Sequence, residues 1–153
     1  MRYCVDNKAH DQLPMPPARA QVCYDALIMD SRAKDRLFQK GLEAFNSAHF
    51  YDAHEIWEEI WLETANPEKM FLQGLIQVAA AFHHYSKDNC LGCRNLLQAG
   101  LTKLDQFPKE HRGIEIEPLR ASVRIWLTVL EIGKTPEDAK IPTIKPQTDG
   151  HRP

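Results

Sequence analysis

Residues 70–85, "MFLQGLIQVAAAFHHY", constrain the fold more than any other stretch of this chain. Wound as a helix, they are apolar over most of the circumference, which marks a helix surrounded by others rather than one lying on a surface. Gly74 and the row Ala79, Ala80 and Ala81 carry little or no side chain, so neighbouring helices can approach closely. Such a helix belongs at the centre of a bundle, and the rest of the chain must supply the elements that cover it.

The flanking sequence has the right spacing to do so, and no segment alternates convincingly as a strand would. A first helix over about residues 32–47 places Leu37, Phe38, Leu42 and Phe45 on one side. After a break at "SAHF" a second follows over about residues 51–64, making a helical hairpin. "ANPEK" breaks the chain again, and Pro67 suits the start of the central helix, about residues 67–86. Asn89 is placed to cap a fourth helix over about residues 90–106, with Leu96, Leu97, Leu101 and Leu104 on its buried stripe. Pro108 helps to end it. A fifth, about residues 116–132, carries Leu119, Val123, Trp126, Leu127 and Leu130, and Gly133 stops it. The expected fold is all-α, a compact bundle of about five helices. Gly41, Phe50, Ala53 and Pro67 loosely match one tetratricopeptide-type unit, but no second copy follows about 34 residues later, which argues against a solenoid.

The helical domain is expected over residues 32–133, with an N-terminal arm, 1–31, and an extended tail, 134–153. The arm contains "LPMPPARA", too rich in proline for a helix and too poor in apolar residues for its own core. The tail has four prolines in a polar background, and only its "IPTI" could dock. At 153 residues, 43% hydrophobic and 26% charged, the chain is of ordinary globular composition and single-domain size. A net charge of −2 supplies no broad attraction to nucleic acid or to an anionic membrane. No run approaches the roughly 18–20 apolar residues of a membrane span, and "MRYCVDNKAHDQ" lacks the apolar centre of a secretory signal. A cytoplasmic location is expected, with Cys4, Cys23, Cys90 and Cys93 as thiols. A protein partner or a homo-oligomer is compatible with this composition.

Chemistry concentrates in "AHEIWEEIWLE", residues 53–63. At about 100° per residue, Ala53, Ile56, Trp57, Ile60 and Trp61 gather into a core stripe. His54 and Glu58, one turn apart, lie along its edge next to Trp61, while Glu55, Glu59 and Glu63 are expected to turn away. On the central helix, His83 shares the apolar sector with Leu72, Ile76 and Ala79, and His84 aligns with Gln73 and Gln77 on a narrow polar stripe. Antiparallel packing of the second and third helices would bring His54, Glu58 and His83 or His84 towards one another. Two imidazoles and a carboxylate suit zinc, manganese or iron and leave coordination positions for water, which opens hydrolytic chemistry. The spacing is not His-Glu-x-x-His, since Glu58 stands where a zincin helix needs its second histidine.

Other motifs carry less. "HHYSKDNCLGC" holds His83, His84, Cys90 and Cys93, but a structural zinc site joins two separated ligand pairs, and a redox Cys-x-x-Cys needs a strand-containing context. No glycine-rich phosphate loop or nucleophile elbow is present. Trp57, Trp61 and Trp126 read as core, and "EKM" and "KEHRGIEIE" as solvated surface.

"FQKGLEAFNSAHFYDAHEIWEEIW" together with "FLQGLIQVAAAFHHYSKDNCLGCRNLLQAGLTKL", about residues 37–105, resembles the domain of unknown function 309 family of bacterial and archaeal proteins. That family's His-x-x-x-Glu-x-x-(Trp/Tyr) signature falls on His54, Glu58 and Trp61, and the histidine closing its "QGLIQ" segment falls on His83. The resemblance implies a small all-helical protein with a functionally important signature for which metal binding is proposed, and it imports no reaction. Two readings follow. In one, His54, Glu58 and His83 hold a divalent metal, with Glu58 as ligand or general base, Trp61 as a wall, and Gln73, Gln77 and His84 placed to orient a ligand; the reaction class is then metal-dependent hydrolysis. In the other, the cluster only fixes helix packing in a non-catalytic protein-interaction module.

Overall fold

The computed structural model describes residues 29–133 and 139–147. The proline-rich arm "LPMPPARA", Cys4 and Cys23 lie outside these residues. Among the described residues five helices run in order: α1 (Ser31–Asn46), α2 (Phe50–Leu62), α3 (Glu68–Tyr85), α4 (Cys90–Leu104) and α5 (Glu117–Glu131). Several of these ends have a local cause. Asp30 accepts a hydrogen bond from the Ala33 amide at 2.7 Å, and Asn89 accepts one from Gly92 at 2.9 Å, so α1 and α4 begin at side-chain caps. Pro118 occupies the first turn of α5, where a missing amide costs nothing, and Gly133 ends that region at φ 66.

The central position expected for residues 70–85 is what the structure shows, since every residue of α3 from Phe71 to Phe82 is buried. Helix α3 packs along α2 on one side and α4 on the other. Its contact with α4 depends on two facing glycines. A methyl group on Gly100 would come within 3.0 Å of the Gly74 carbonyl, and one on Gly74 within 2.9 Å of Leu104. Phe38, Phe45, Phe50, Trp57, Phe82 and Trp126 form a connected aromatic core, closed by edge-on contacts such as Phe82–Trp126 at 5.1 Å. All three tryptophans are buried, as their helical spacing requires.

Buried Arg120 ties α5 to the end of α4. Its guanidinium donates to the Leu104 and Phe107 carbonyls at 2.9 and 2.8 Å and pairs with Glu117 at 2.6 Å. A buried cation is tolerable there because the last carbonyls of a helix lack intrahelical donors.

The stretch "KEHRGIEIE" departs from the solvated surface read from its charges. It folds into a small antiparallel hairpin, β1 (Glu110–His111) and β2 (Ile114–Glu115), across a turn in which Arg112 and Gly113 both have positive φ. Ile114 and Ile116 are buried in the core, His111 meets Phe71 edge-on at 4.6 Å, and Arg112 covers Phe38 at 4.5 Å. Glu68, also in a stretch read as surface, takes His111 at 2.8 Å and Arg112 at 3.2 Å. Strands of two residues are too short to register as an alternating pattern. Of the tail, residues 139–147 lie against the helices with Pro142 and Ile144 buried, so the "IPTI" segment docks. No helix among the described residues is long and apolar enough to cross a membrane.

Candidate functional site

Helix α2 buries Ala53, Trp57, Ile60 and Trp61, which fixes its rotation about its own axis; Ile56, at the margin of that stripe, is only half-buried. That rotation carries His54 into the interior, where it is 2% exposed, and leaves Glu58 at the rim with an 18% exposed side chain. The imidazole Nε2 lies 3.8 Å from Glu58 Oε2 and its Nδ1 lies 3.4 Å from Glu55 Oε1. The His54–Glu58 neighbourhood read from helical spacing is therefore present.

Glu55 differs from the expectation that it turns away. Adjacent residues on a helix diverge by about 100°, but a glutamate has three rotatable bonds and reaches back to the histidine beside it. His54, Glu55 and Glu58 can each offer a ligand atom with all of them within 4.8 Å of one another, and this is the one such group of three found among the described residues. Two ligands sharing an ion at about 2.1 Å cannot be more than about 4.2 Å apart, so each separation taken alone admits a cation, but the two lie at different ring nitrogens and do not describe one shared ion. The carboxylates face opposite nitrogens of one ring. One nitrogen can therefore ligate while the other is oriented by a carboxylate, the arrangement that fixes the tautomer of metal-bound histidines.

His83 does not enter this group. It is half-buried near the end of α3 rather than enclosed in the apolar sector, and it packs against Tyr51 at 5.3 Å. Tyr51 also contacts the His54 ring, at 6.0 Å, so one exposed tyrosine links the two histidines. Sequence reading missed Tyr51, although its position three residues before His54 puts it on the same face. His84 is half-buried beside His83, and its Nδ1 lies 2.9 Å from the side-chain Nδ2 of Asn89. Burial pushes both histidines below the usual imidazole range; Lys87 adds to the effect at His83, and His83 itself adds to it at His84.

Gln73 and Gln77 form a buried polar row on α3, so the narrow polar stripe faces the protein interior. Trp61 is buried at the far end of the α2 edge, with the Lys69 ammonium over its ring at 4.2 Å. The cysteines separate in character: Cys90 is exposed, and Cys93 is buried with its thiol pushed up to about 12, first by burial and then by Cys90.

Comparison with known proteins agrees with the resemblance carried by this region. Residues 38–96, from the middle of α1 into α4, match the profile of the family described as "Domain of unknown function (DUF309)", and that stretch belongs to it. An uncharacterised protein of Aquifex aeolicus (strain VF5) is 35% identical over 102 residues, 66% of this chain and 31% of that protein. The uncharacterised protein YpuF of Bacillus subtilis (strain 168) is 33% identical over 67 residues, 43% of this chain and 37% of its own length. The chain thus spans about a third of the length of these relatives.

Proposed function

We propose that the edge of α2 is a divalent-cation site in which His54 and Glu58 are ligands and Glu55 either joins them or orients the ring. The observation that carries this reading is the convergence of three donor atoms within 4.8 Å around an imidazole that is itself almost fully buried. Zinc, manganese and iron all accept imidazole and carboxylate ligands. When bound, such an ion supplies a polarised water, which makes hydrolysis the reaction class favoured by this donor set. Glu58, at the solvent rim, is the carboxylate able to meet both the ion and an incoming substrate. Tyr51 and Trp61 wall the edge on either side, and His83, whose pKa burial lowers, packs on Tyr51 at the end of α3.

A second reading has the cluster fix the packing of α2 on α3 in a non-catalytic interaction module. The near-complete burial of His54, together with that of Gln73 and Gln77, favours it. Elemental analysis separates the two, using untagged protein, a Glu58→Gln variant and a His54→Ala variant, each offered zinc, manganese or iron(II). The metal site requires near-stoichiometric uptake by the wild type and none by either folded variant. A folded wild-type protein that takes up none of the three ions refutes it. The packing role then gains if His54→Ala costs about 1–3 kcal/mol by stranding buried polar neighbours.

A further inference from the structure

The segment 139–147 is held as a bound peptide is held. Pro142 and Ile144 are buried while Ile141, Thr143 and Lys145 between and beside them are exposed, the period-two pattern of an extended strand with one face in a groove. Most of the contacts address its main chain. Asn46 reads both polar groups of Ile144, its Nδ2 donating to the carbonyl at 2.9 Å and its Oδ1 accepting from the amide at 2.8 Å. Trp126 Nε1 donates to the Lys140 carbonyl at 3.1 Å. At the hairpin, the Glu115 amide donates to Lys145 O at 3.0 Å and the Gln147 amide to Gly113 O at 2.8 Å. Ile114 and Pro146 bridge antiparallel. The segment thus adds a strand to the edge of β2, and Pro146 fits an edge because it has no amide to offer outward.

Strand addition with main-chain hydrogen bonds and alternate side-chain pockets is a general mode of peptide recognition. We propose that this groove, lined by Asn46, Trp126 and the β2 edge, is a peptide-binding site that also accepts residues 139–147 of a second copy of this chain, joining two copies by exchange of their tails. The second copy is the occupant the structure supports, because its segment is chemically identical to the one seated here and every contact is reproduced across the pair. Five residues, 134–138, separate Gly133 from Ala139, so only a short connection joins the exchanged segment to α5. In an isolated chain the tethered segment competes at an effective concentration on the order of millimolar, which keeps dilute protein closed on itself.

The test disables the two halves separately in full-length chains. Ile144→Asp spoils the tail and leaves the groove; Asn46→Ala weakens the groove and leaves the tail. A labelled peptide of residues 139–147 should bind Ile144→Asp at least tenfold more tightly than it binds the wild type, and the same peptide with aspartate at position 144 should not bind. Mixing the two variants should give a heterodimer by light scattering that neither forms alone. An Ile144→Asp chain that keeps its helical circular dichroism but takes neither the peptide nor the Asn46→Ala partner overturns the proposal. So does loss of the fold in both Ile144→Asp and the milder Ile144→Ala, because a groove that cannot exist without its own tail cannot accept another's.

Discussion

Gly41→Ala should destabilise this protein although helix propensity says the opposite. In a helix interior alanine is better than glycine by about 1 kcal/mol, and Gly41 lies well inside α1. The added methyl group, however, would fall on the pyrrole edge of the Trp57 indole, within 3 Å of Nε1, Cδ1 and Cε2 alike. Trp57 is fully buried between Phe38 and Phe45, and its Nε1 donates to the Phe38 carbonyl at 3.3 Å, so the ring has no free direction in which to retreat. Overpacking of this kind costs about 1–3 kcal/mol, and displacing the indole weakens a buried hydrogen bond worth about 1 kcal/mol. Set against the propensity gain, the net loss is about 1–3 kcal/mol, or several degrees in Tm at roughly 2–4 °C per kcal/mol for a chain of this size. Urea and thermal unfolding followed by tryptophan fluorescence read it directly. The decisive control is the double variant: with Trp57→Leu the obstruction is gone, and Gly41→Ala should become neutral or stabilising relative to Trp57→Leu alone. Equal effects of Gly41→Ala in the two backgrounds would show that the glycine is not there to admit the tryptophan.

Four further outcomes are expected. Because the folded state depresses His83 and His84 below 6.5, their contribution to stability is present above that pH and is lost as the pH falls through the folded values; urea midpoints should drop below pH 6.5, and the drop should shrink in His84→Gln. Arg120→Met takes the donor from the part-buried Phe107 carbonyl, while the Leu104 carbonyl keeps the Phe107 amide, and should cost about 1–3 kcal/mol. In the same variant Glu117, held below its ordinary 4.5 chiefly by its hydrogen bond to Arg120, should titrate upward by NMR. Its stabilising contribution is present above that value and lost as the pH falls through the folded one, so Arg120→Met should remove it. Alkylation at pH 8 followed by peptide mapping should label exposed Cys90 and spare Cys93 until the chain unfolds, since a thiol pushed up to about 12 and buried presents almost no thiolate; equal labelling of the two in folded protein would contradict the burial.

Among the described residues, helix number, order and approximate ends were legible in the sequence, because helical periodicity, caps and breakers act over a few positions. Phe38, Leu42 and Phe45 on α1, Asn89 before α4 and Gly133 after α5 all do what their local spacing demands. The same spacing placed His54 beside Glu58 and Trp61, one turn apart on a single helix. What the sequence could not decide was whatever depends on rotamer reach or on a second element. Glu55 joins His54 by bending back along its own helix, whereas His83 stays outside the donor group and meets Tyr51. Gln73 and Gln77 turned inward because α3 is covered on every side, and a polar stripe on such a helix has no solvent to face. The charged run 109–117 hides two core isoleucines, and Asn46 finds its partner at Ile144 only once the bundle has brought the end of α1 and the segment 139–147 together. Local patterning therefore determined the helices and one edge of the site. The neighbours that give that edge its chemistry, and the groove that holds the tail, are set by contacts between residues far apart in sequence, which no local pattern encodes.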